Sequence, residues 1–177
     1  MSMLAIIIPS TFAMASEASP YMMGEWFLAD AFESPAVETV DTVFSFLNPT
    51  PLHLVLEYAF FQEDGTFCGC DIDELNPNGL VRYTMSGEKR DGFLACPDPK
   101  ATHGPMKSIV LVQKGKWLFI DDALQIGFQT HLFPGGREEA GMKAIPLTHR
   151  TFEEIVQIHN NCKSFKPAGK FLPELHK

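Results

Sequence analysis

Four cysteines are the side chains of this sequence that are best suited to chemistry. Cys68 and Cys70 flank a glycine on a predicted strand, Cys96 lies in a loop-like segment, and Cys162 lies on a predicted helix. Side chains two apart on a strand face the same side, so we expect the thiols of Cys68 and Cys70 to point together. Disulfide geometry disfavours a bridge between them, so each is expected to pair with Cys96 or Cys162. The sequence leaves the connectivity open.

A metal site is the alternative use of these cysteines. Zn²⁺ prefers a tetrahedral set of thiolate and imidazole ligands. The candidate ligands are Cys68, Cys70, Cys96, His159 and Cys162. Residues three apart share one face of a helix, as His159 and Cys162 do. The Cys-X-Cys spacing differs from the usual spacing of zinc ligands, so the sequence favours structural disulfides and no cofactor over a zinc or redox centre.

The other polar motifs match catalytic and binding patterns poorly. The acidic run at residues 71–74 lacks the glycine and the last acidic ligand of a calcium-binding EF-hand loop. Asp121 and Asp122 are expected to form a polar turn, and the other histidines have no partner motif in the sequence. No catalytic residue is therefore predicted.

Aromatic residues in the predicted strands allow a third kind of site. Tyr58, Phe60 and Phe67 are candidates for the lining of an apolar ligand cleft. The competing interpretation is that they fill the space between two sheets, and the sequence favours that interpretation because they follow the period of a buried strand face.

These residues must be positioned by strands. Polar and apolar residues alternate over residues 52–61, as expected of a long, half-buried strand. In residues 41–47, Phe44 and Phe46 share one face while the residues between them share the other. Further strands are predicted at residues 24–29, 66–72, 80–85, 108–112, 117–120 and 124–133, with a loop or edge ribbon over residues 86–105. Residues 148–162 change to helical spacing, and Thr151 and two following glutamates suit the start of a helix.

This pattern predicts a mainly β chain, an antiparallel immunoglobulin-like β-sandwich with one C-terminal helix. Within residues 44–79, the motifs Asn48-Pro49-Thr50, Phe60-Phe61-Gln62-Glu63-Asp64-Gly65 and Leu75-Asn76-Pro77-Asn78-Gly79 flank the long strand. The stretch resembles the core hairpin of immunoglobulin-like modules of the late-embryogenesis-abundant type 2 kind and their bacterial exported relatives. The resemblance implies a non-catalytic binding or structural module and assigns no functional residue.

The N-terminus and the charge bear on location. A short apolar run at residues 3–8, followed by Ala13-Met14-Ala15, predicts a signal peptide over residues 1–15, although a basic start is missing. A single domain is expected over residues 16–165, with a flexible tail over residues 166–177. The 22 acidic against 14 basic residues give a formal charge of −8, which argues against nucleic acid or anionic lipid as a partner. No segment reaches the length of a membrane span.

The sequence thus predicts an exported, non-enzymatic module, periplasmic or extracellular, that binds a protein partner or serves in structural or surface assembly. The alternatives are a metal-binding or redox protein that uses the four cysteines, and a carrier of a small apolar ligand. Both alternatives depend on where the cysteines and the aromatic residues lie in the fold.

Overall fold

The computed structural model describes residues 17–29, 40–167 and 172–176 of the 177-residue chain. The predicted signal peptide, residues 1–15, lies outside the described residues, so it stays a prediction. None of the helices in these described ranges has the length and apolar character needed to cross a membrane.

The described part of the chain contains two helices, α1 (Met85–Arg90) and α2 (His149–Ser164), and eleven strands. The strands are β1 (Tyr21–Phe27), β2 (Asp41–Leu47), β3 (Leu54–Phe61), β4 (Phe67–Leu75), β5 (Leu80–Thr84), β6 (His103–Lys114), β7 (Trp117–Phe119), β8 (Ile126–Phe133), β9 (Gly136–Gly141), β10 (Lys143–Ala144) and β11 (Glu174–Leu175).

These strands form two sheets. The large sheet has the order β10-β1-β6-β3-β4, with β7 paired to the end of β6 and β11 beside β7. The small sheet has the order β5-β2-β8-β9. The strands pair antiparallel throughout the described part, except for the two-residue parallel pair of β11 with β7. The prediction of a mainly β, antiparallel sandwich is confirmed, whereas the immunoglobulin-like character stays a prediction.

The alternation along β3 divides the apolar core into two layers. Leu54, Leu56, Tyr58 and Phe60 belong to the cluster between the sheets, together with Phe44 and Phe46 of β2. Ala59 faces the other way, into a cluster that includes the inward face of α2. The molecule therefore has three layers in the order α2, large sheet, small sheet.

Helix α2 confirms the predicted C-terminal helix. Its N-cap is Thr148, whose hydroxyl accepts a hydrogen bond from the Thr151 backbone N–H, while the Thr151 hydroxyl accepts from the Thr148 backbone N–H. Thr151 is thus the third helical residue of a capping box, not the cap itself. Apolar spacing places four side chains of the helix against the large sheet, namely Ile155, Ile158, His159 and Cys162.

The prediction of a single helix is wrong, because α1 forms where a strand end and a loop are expected. Thr84 caps it by accepting a hydrogen bond from the Gly87 backbone N–H. Met85 and Glu88 lie one turn apart and are buried. Six residues are too few to show a helical period in the sequence, so the local cap and burial decide the structure.

Two strands lie partly or wholly outside the predicted strands. β6 begins at His103, within the predicted loop, and the polar, glycine-containing β9 lies in a segment with no predicted strand. In the predicted flexible tail, β11 pairs with β7 and Leu172 is buried. The mobility of this tail stays a prediction.

Candidate functional site

The Cys68-Gly69-Cys70 segment corrects the expectation that both thiols share one face. Phe60 pairs with Gly69, and the next residue, Phe61, pairs with Phe67, so Cys68 is an extra residue on β4. Such a β-bulge interrupts the alternation of side chains. Cys68 therefore lies in the core between the sheets, and Cys70 lies in the core beneath α2.

Glycine is required at the centre of this bulge. Gly69 has φ +146°, and a Cβ there would come within 2.1 Å of the Phe93 carbonyl oxygen. The segment that follows α1 thus lies directly against β4, and the Ala95 backbone N–H donates to the Cys68 carbonyl oxygen over 2.8 Å. A side chain at position 69 would push the two segments apart.

Each cysteine of the bulge forms a disulfide. Cys68 pairs with Cys96, with an S–S distance of 2.05 Å, and ties β4 to the segment after α1. Cys70 pairs with Cys162 and ties β4 to α2. The two disulfides lie on opposite faces of the large sheet, so the structure does not bring the four sulfurs into one cluster.

His159, the histidine among the candidate metal ligands, makes a hydrogen bond through each of its ring nitrogens. Its Nδ1 lies 2.8 Å from Glu57 Oε1, and its Nε2 lies 3.1 Å from the Pro173 carbonyl oxygen. The Pro173 carbonyl oxygen can only accept, so Nε2 donates to it, and Nδ1 shares one proton with the Glu57 carboxyl group. His159 and Glu57 are 1% and 0% exposed, so this hydrogen-bonded pair between α2 and β3 is fully buried.

No group of three or more His, Cys, Asp or Glu side chains suited to a metal ion occurs among the described residues. The zinc and redox alternatives stay predictions, since the structure carries no ligands. The His159–Glu57 pair has a structural role here, because it joins helix, sheet and the C-terminal segment.

The three aromatic cleft candidates do not lie together. Tyr58 and Phe60 are fully buried between the sheets, with ring centroids 5.7 Å apart. Phe67 lies on the other face of the large sheet, packed edge-to-face with Phe61 and Phe165. The interpretation that these three side chains line a shared cleft is therefore wrong. Phe67 instead borders a surface groove of about 370 Å³ beside α2.

Buried carboxyl groups surround Tyr58 in the space between the sheets. The Tyr58 hydroxyl donates to Asp71 Oδ2 over 2.9 Å and lies 3.5 Å from Glu88 Oε2. Burial, and then the nearby carboxylates of Asp71 and Asp91, raise the pKa of Glu88 to about 8. Burial, and then the charges of Glu88 and Asp71, also raise the pKa of Tyr58. At neutral pH Glu88 is therefore largely protonated, which limits the repulsion within this group.

A second polar network crosses between the sheets at His131. Gln129 Oε1 accepts from the Glu25 backbone N–H of β1, and Gln129 Nε2 lies 3.2 Å from His131 Nε2. His131 Nδ1 lies 3.0 Å from the Thr42 hydroxyl, which also bonds the Phe27 backbone. Every contact is satisfied when the ring is neutral, with its proton on Nδ1. Burial, opposed by Glu138 and Glu25, lowers the pKa of His131, in agreement with that form.

The remaining candidate is the outward side of the small sheet, which we call the outer face. Strand register places on it Asp41, Val43, Ser45, Leu47, Leu80, Arg82, Thr84, Ile126, Phe128, Thr130, Leu132, Arg137, Glu139 and Gly141. Phe44 and Phe46 point the opposite way, into the core. The apolar members form a continuous band across β5, β2 and β8.

The outer face is accessible. Leu80 is 50% exposed and Phe128 is 40% exposed, whereas Phe46 on the reverse side of the same sheet is fully buried. The band continues into a groove of about 590 Å³ that Arg82 and Glu139 border. Large apolar side chains that lie in register across a sheet, with charges at both margins, are typical of a protein-binding surface.

Comparison with known proteins does not identify a family. No protein-family model matches the chain, and no curated protein matches it. A solved structure that is similar in shape is the crystal structure of Thermotoga maritima 1070. It has a TM-score of 0.48 and 6% sequence identity, and the likeness covers 73% of this chain and 97% of that chain. That likeness supports no statement about function.

Sequence reasoning missed Glu57 and most of the outer face. Glu57 lies within the alternating strand, but its partner His159 is 102 residues away in the sequence. The alternation of β2 separates Val43, Ser45 and Leu47 from the two phenylalanines. It does not show that this side lacks a covering layer, which depends on where α2 packs.

Proposed function

We propose that the protein is an exported, non-catalytic β-sandwich module that binds protein through the outer face of its small sheet. The observation that carries the proposal is the contrast between the two outward sides of the sandwich. Helix α2 covers the large sheet, whereas in the described part of the chain the outer face stays exposed at Leu80 and Phe128. Helix α1 reaches this face at Asp41, where Ser86 donates to the carboxylate.

The composition of the outer face supports binding over a purely solvent-facing role. Its centre consists of Leu47, Ile126 and Phe128, flanked by small and hydroxyl side chains. Arg82 and Glu139 lie at its margins. An apolar centre with a charged margin is the arrangement of most protein interfaces, because the centre is desolvated on binding while the margin sets the register.

Export is supported by the cysteines. All four are paired in two disulfides, and such bonds persist in oxidising compartments, which suggests an extracellular or periplasmic environment. The predicted signal peptide at residues 1–15 agrees with the same location.

The two alternatives have weaker support. A zinc or redox centre built from all four cysteines would need the four sulfurs near one another, and they lie as two pairs on opposite faces of the large sheet. An apolar ligand carrier would need space among Tyr58, Phe60 and their neighbours, and those rings pack directly against one another.

The binding surface is tested by changing Phe128 in the producing organism. Phe128→Asp places a charge at the centre of the outer face. Phe133→Asp is the matched control, because Phe133 lies on the same strand, is also 40% exposed and points away from the outer face. Chemical cross-linking of the exported fraction before gel analysis, which captures weak complexes, is expected to show a complex for the wild type and for Phe133→Asp, and a lone chain for Phe128→Asp. A lone chain in all three would overturn the proposal.

Export is tested separately by sequencing the N-terminus of the protein and alkylating it without reduction. A chain that starts at Ser16 with no reactive thiol is expected. A chain that retains Met1 and four alkylated cysteines would contradict export without deciding the role of the outer face.

A further inference from the structure

We propose that the occupant of the outer face is a second copy of this chain, packed face to face about a two-fold axis. The axis runs parallel to the strands and passes between β2 and β8. This inference rests on the proposed function, since it names the partner of the same surface.

The strand order makes the surface suited to such an axis. With the order β5-β2-β8-β9, a two-fold axis between β2 and β8 places β2 of one copy over β8 of the other, and β5 over β9. The axis is parallel to the strands, so residues that share a row in the register stay level with each other. The strands of the two copies then run nearly aligned, as in ordinary sheet-on-sheet packing.

The rows match in size and polarity. Ser45 and Phe128 share a row, so the large ring of each copy lies over the small serine of the other. In the next row, Leu47 and Ile126 meet as two apolar side chains. Packing of large against small side chains is what lets two sheets interdigitate.

The charges also match under this axis. Arg82 shares its row with Gly141, so the axis places Arg82 of one copy over a position with no side chain, beside Glu139 of the other. Arg82 forms no ion pair with any residue in the described ranges, so its charge is available to a partner. Arg137 pairs with Glu139 of its own copy over 3.3 Å, so Arg82 of the other copy joins an existing pair. The same operation brings Arg137 near Asp41.

Net charge favours this face for self-association. The outer face carries Arg82 and Arg137 against Asp41 and Glu139, so it is neutral, whereas the whole chain is −8. Two copies that approach through other, more acidic surfaces repel each other. Charges within the outer face therefore do not oppose self-association through it.

The size of the face sets the expected strength. Four strands at the usual spacing, and about seven residues along each, give a face of roughly 20 by 20 Å. That is about 400 Å² per copy and about 800 Å² in total, which is below the roughly 1,200 to 2,000 Å² of stable specific interfaces, so we expect a weak, concentration-dependent dimer.

The inference is tested by a charge exchange in the purified, disulfide-intact protein. Sedimentation equilibrium is measured for the wild type, Arg82→Glu, Glu139→Arg and the double variant, from low micromolar to high micromolar concentration. Each single variant puts like charges together across the interface and is expected to weaken dimerisation about tenfold or more. The double variant restores opposite charges and is expected to return within about threefold of the wild type. Lys116→Glu, on the exposed β6–β7 turn, makes the same charge change away from the face and should have no effect.

Three results would overturn the inference. The first is a monomer at every concentration, and the second is a dimer that none of the Arg82 and Glu139 variants weakens. The third is a photochemical cross-link from position 128 to residues 1–16 of the same chain. If the purified protein is a monomer but Phe128→Asp still abolishes a complex in the producing organism, the partner is not a second copy of this chain. The proposed function then stands, with a different protein as the partner.

Discussion

The two outward sides of the sandwich differ in what covers them. On the large sheet, α2 packs over β3 and β4, and side chains on the same face of the sheet, such as Ile109 and Leu111, are fully buried. On the small sheet, the equivalent side carries Leu80 and Phe128, which are substantially exposed. Within residues 17–29, 40–167 and 172–176, the chain thus closes one sheet with its own helix and leaves the other sheet open.

The closed side is held by more than apolar contact. Cys70–Cys162 and the buried His159–Glu57 pair both join α2 to the large sheet. Helix α2 is far from β3 and β4 in the sequence, so packing it on the large sheet closes a long loop. Closing that loop costs conformational entropy, which further contacts must offset. Among the residues that the structure describes, the open side has no such fixed layer, which suits a surface whose cover comes from another molecule.

The largest expected effect comes from removing the disulfide of the closed side. Cys70→Ala with Cys162→Ala opens a loop spanning 92 residues, and the loop-entropy relation gives a loss of about 4.5 kcal/mol in the free energy of unfolding. The same relation gives about 3.5 kcal/mol for Cys68→Ala with Cys96→Ala, which span 28 residues. Urea unfolding of both double variants measures the difference, and the reverse order would contradict the importance of the helix attachment.

The buried His159–Glu57 pair is expected to have the next largest effect. His159→Ala leaves the Glu57 carboxylate buried without its partner, which costs about 3 kcal/mol of stability. Replacing both residues by leucine removes the charge and is expected to recover most of that loss. Denaturant midpoints of the single and double variants test this. If the double variant is no more stable than His159→Ala, the loss does not come from the unpaired charge.

A pH effect is expected in the layer beneath the small sheet. The pKa of Glu88 in the folded protein is about 8, above its usual value near 4.5. The folded state therefore holds this proton more tightly than the unfolded state. The resulting stabilisation is full below about pH 4.5 and is lost as the pH rises towards 8. Melting temperatures of the wild type are expected to fall between pH 5 and 8, and those of Glu88→Gln to fall less. Parallel curves would show that another group is responsible.

The smallest effect is expected on the open side. Leu80→Ala should change the free energy of unfolding by less than about 0.5 kcal/mol, because the side chain is half exposed. Ile109→Ala on the closed side should cost about 2 to 4 kcal/mol, since that side chain is fully buried. The measurements are made on dilute monomer. Equal losses at both positions would mean that the two sides do not differ as described.

The sequence predicts the elements that have a strong local period. β2 has the predicted bounds, and β3 and α2 lie within two residues of theirs, because apolar spacing and capping are local properties. The C-terminal helix and the two-sheet arrangement follow from them.

Other features depend on distant contacts. The bulge that turns Cys68 and Cys70 to opposite faces is set by the register of β3 against β4 and by the approach of Phe93 to Gly69. The residue pattern of a single strand contains neither the register with its neighbour nor the approach of a distant segment. The outer face likewise depends on which sheet α2 covers, and no residue of the small sheet encodes that choice locally.

The comparison of the two sides is tested most directly by photochemical cross-linking in the producing organism. A photoreactive phenylalanine analogue is placed at Phe128 on the outer face, and at Gln157, an exposed position of α2 on the opposite side of the molecule. The adducts are identified by mass spectrometry. The account predicts a protein adduct from position 128 and none from position 157. An adduct from position 157 alone would show that the closed side is the binding side and would contradict the account.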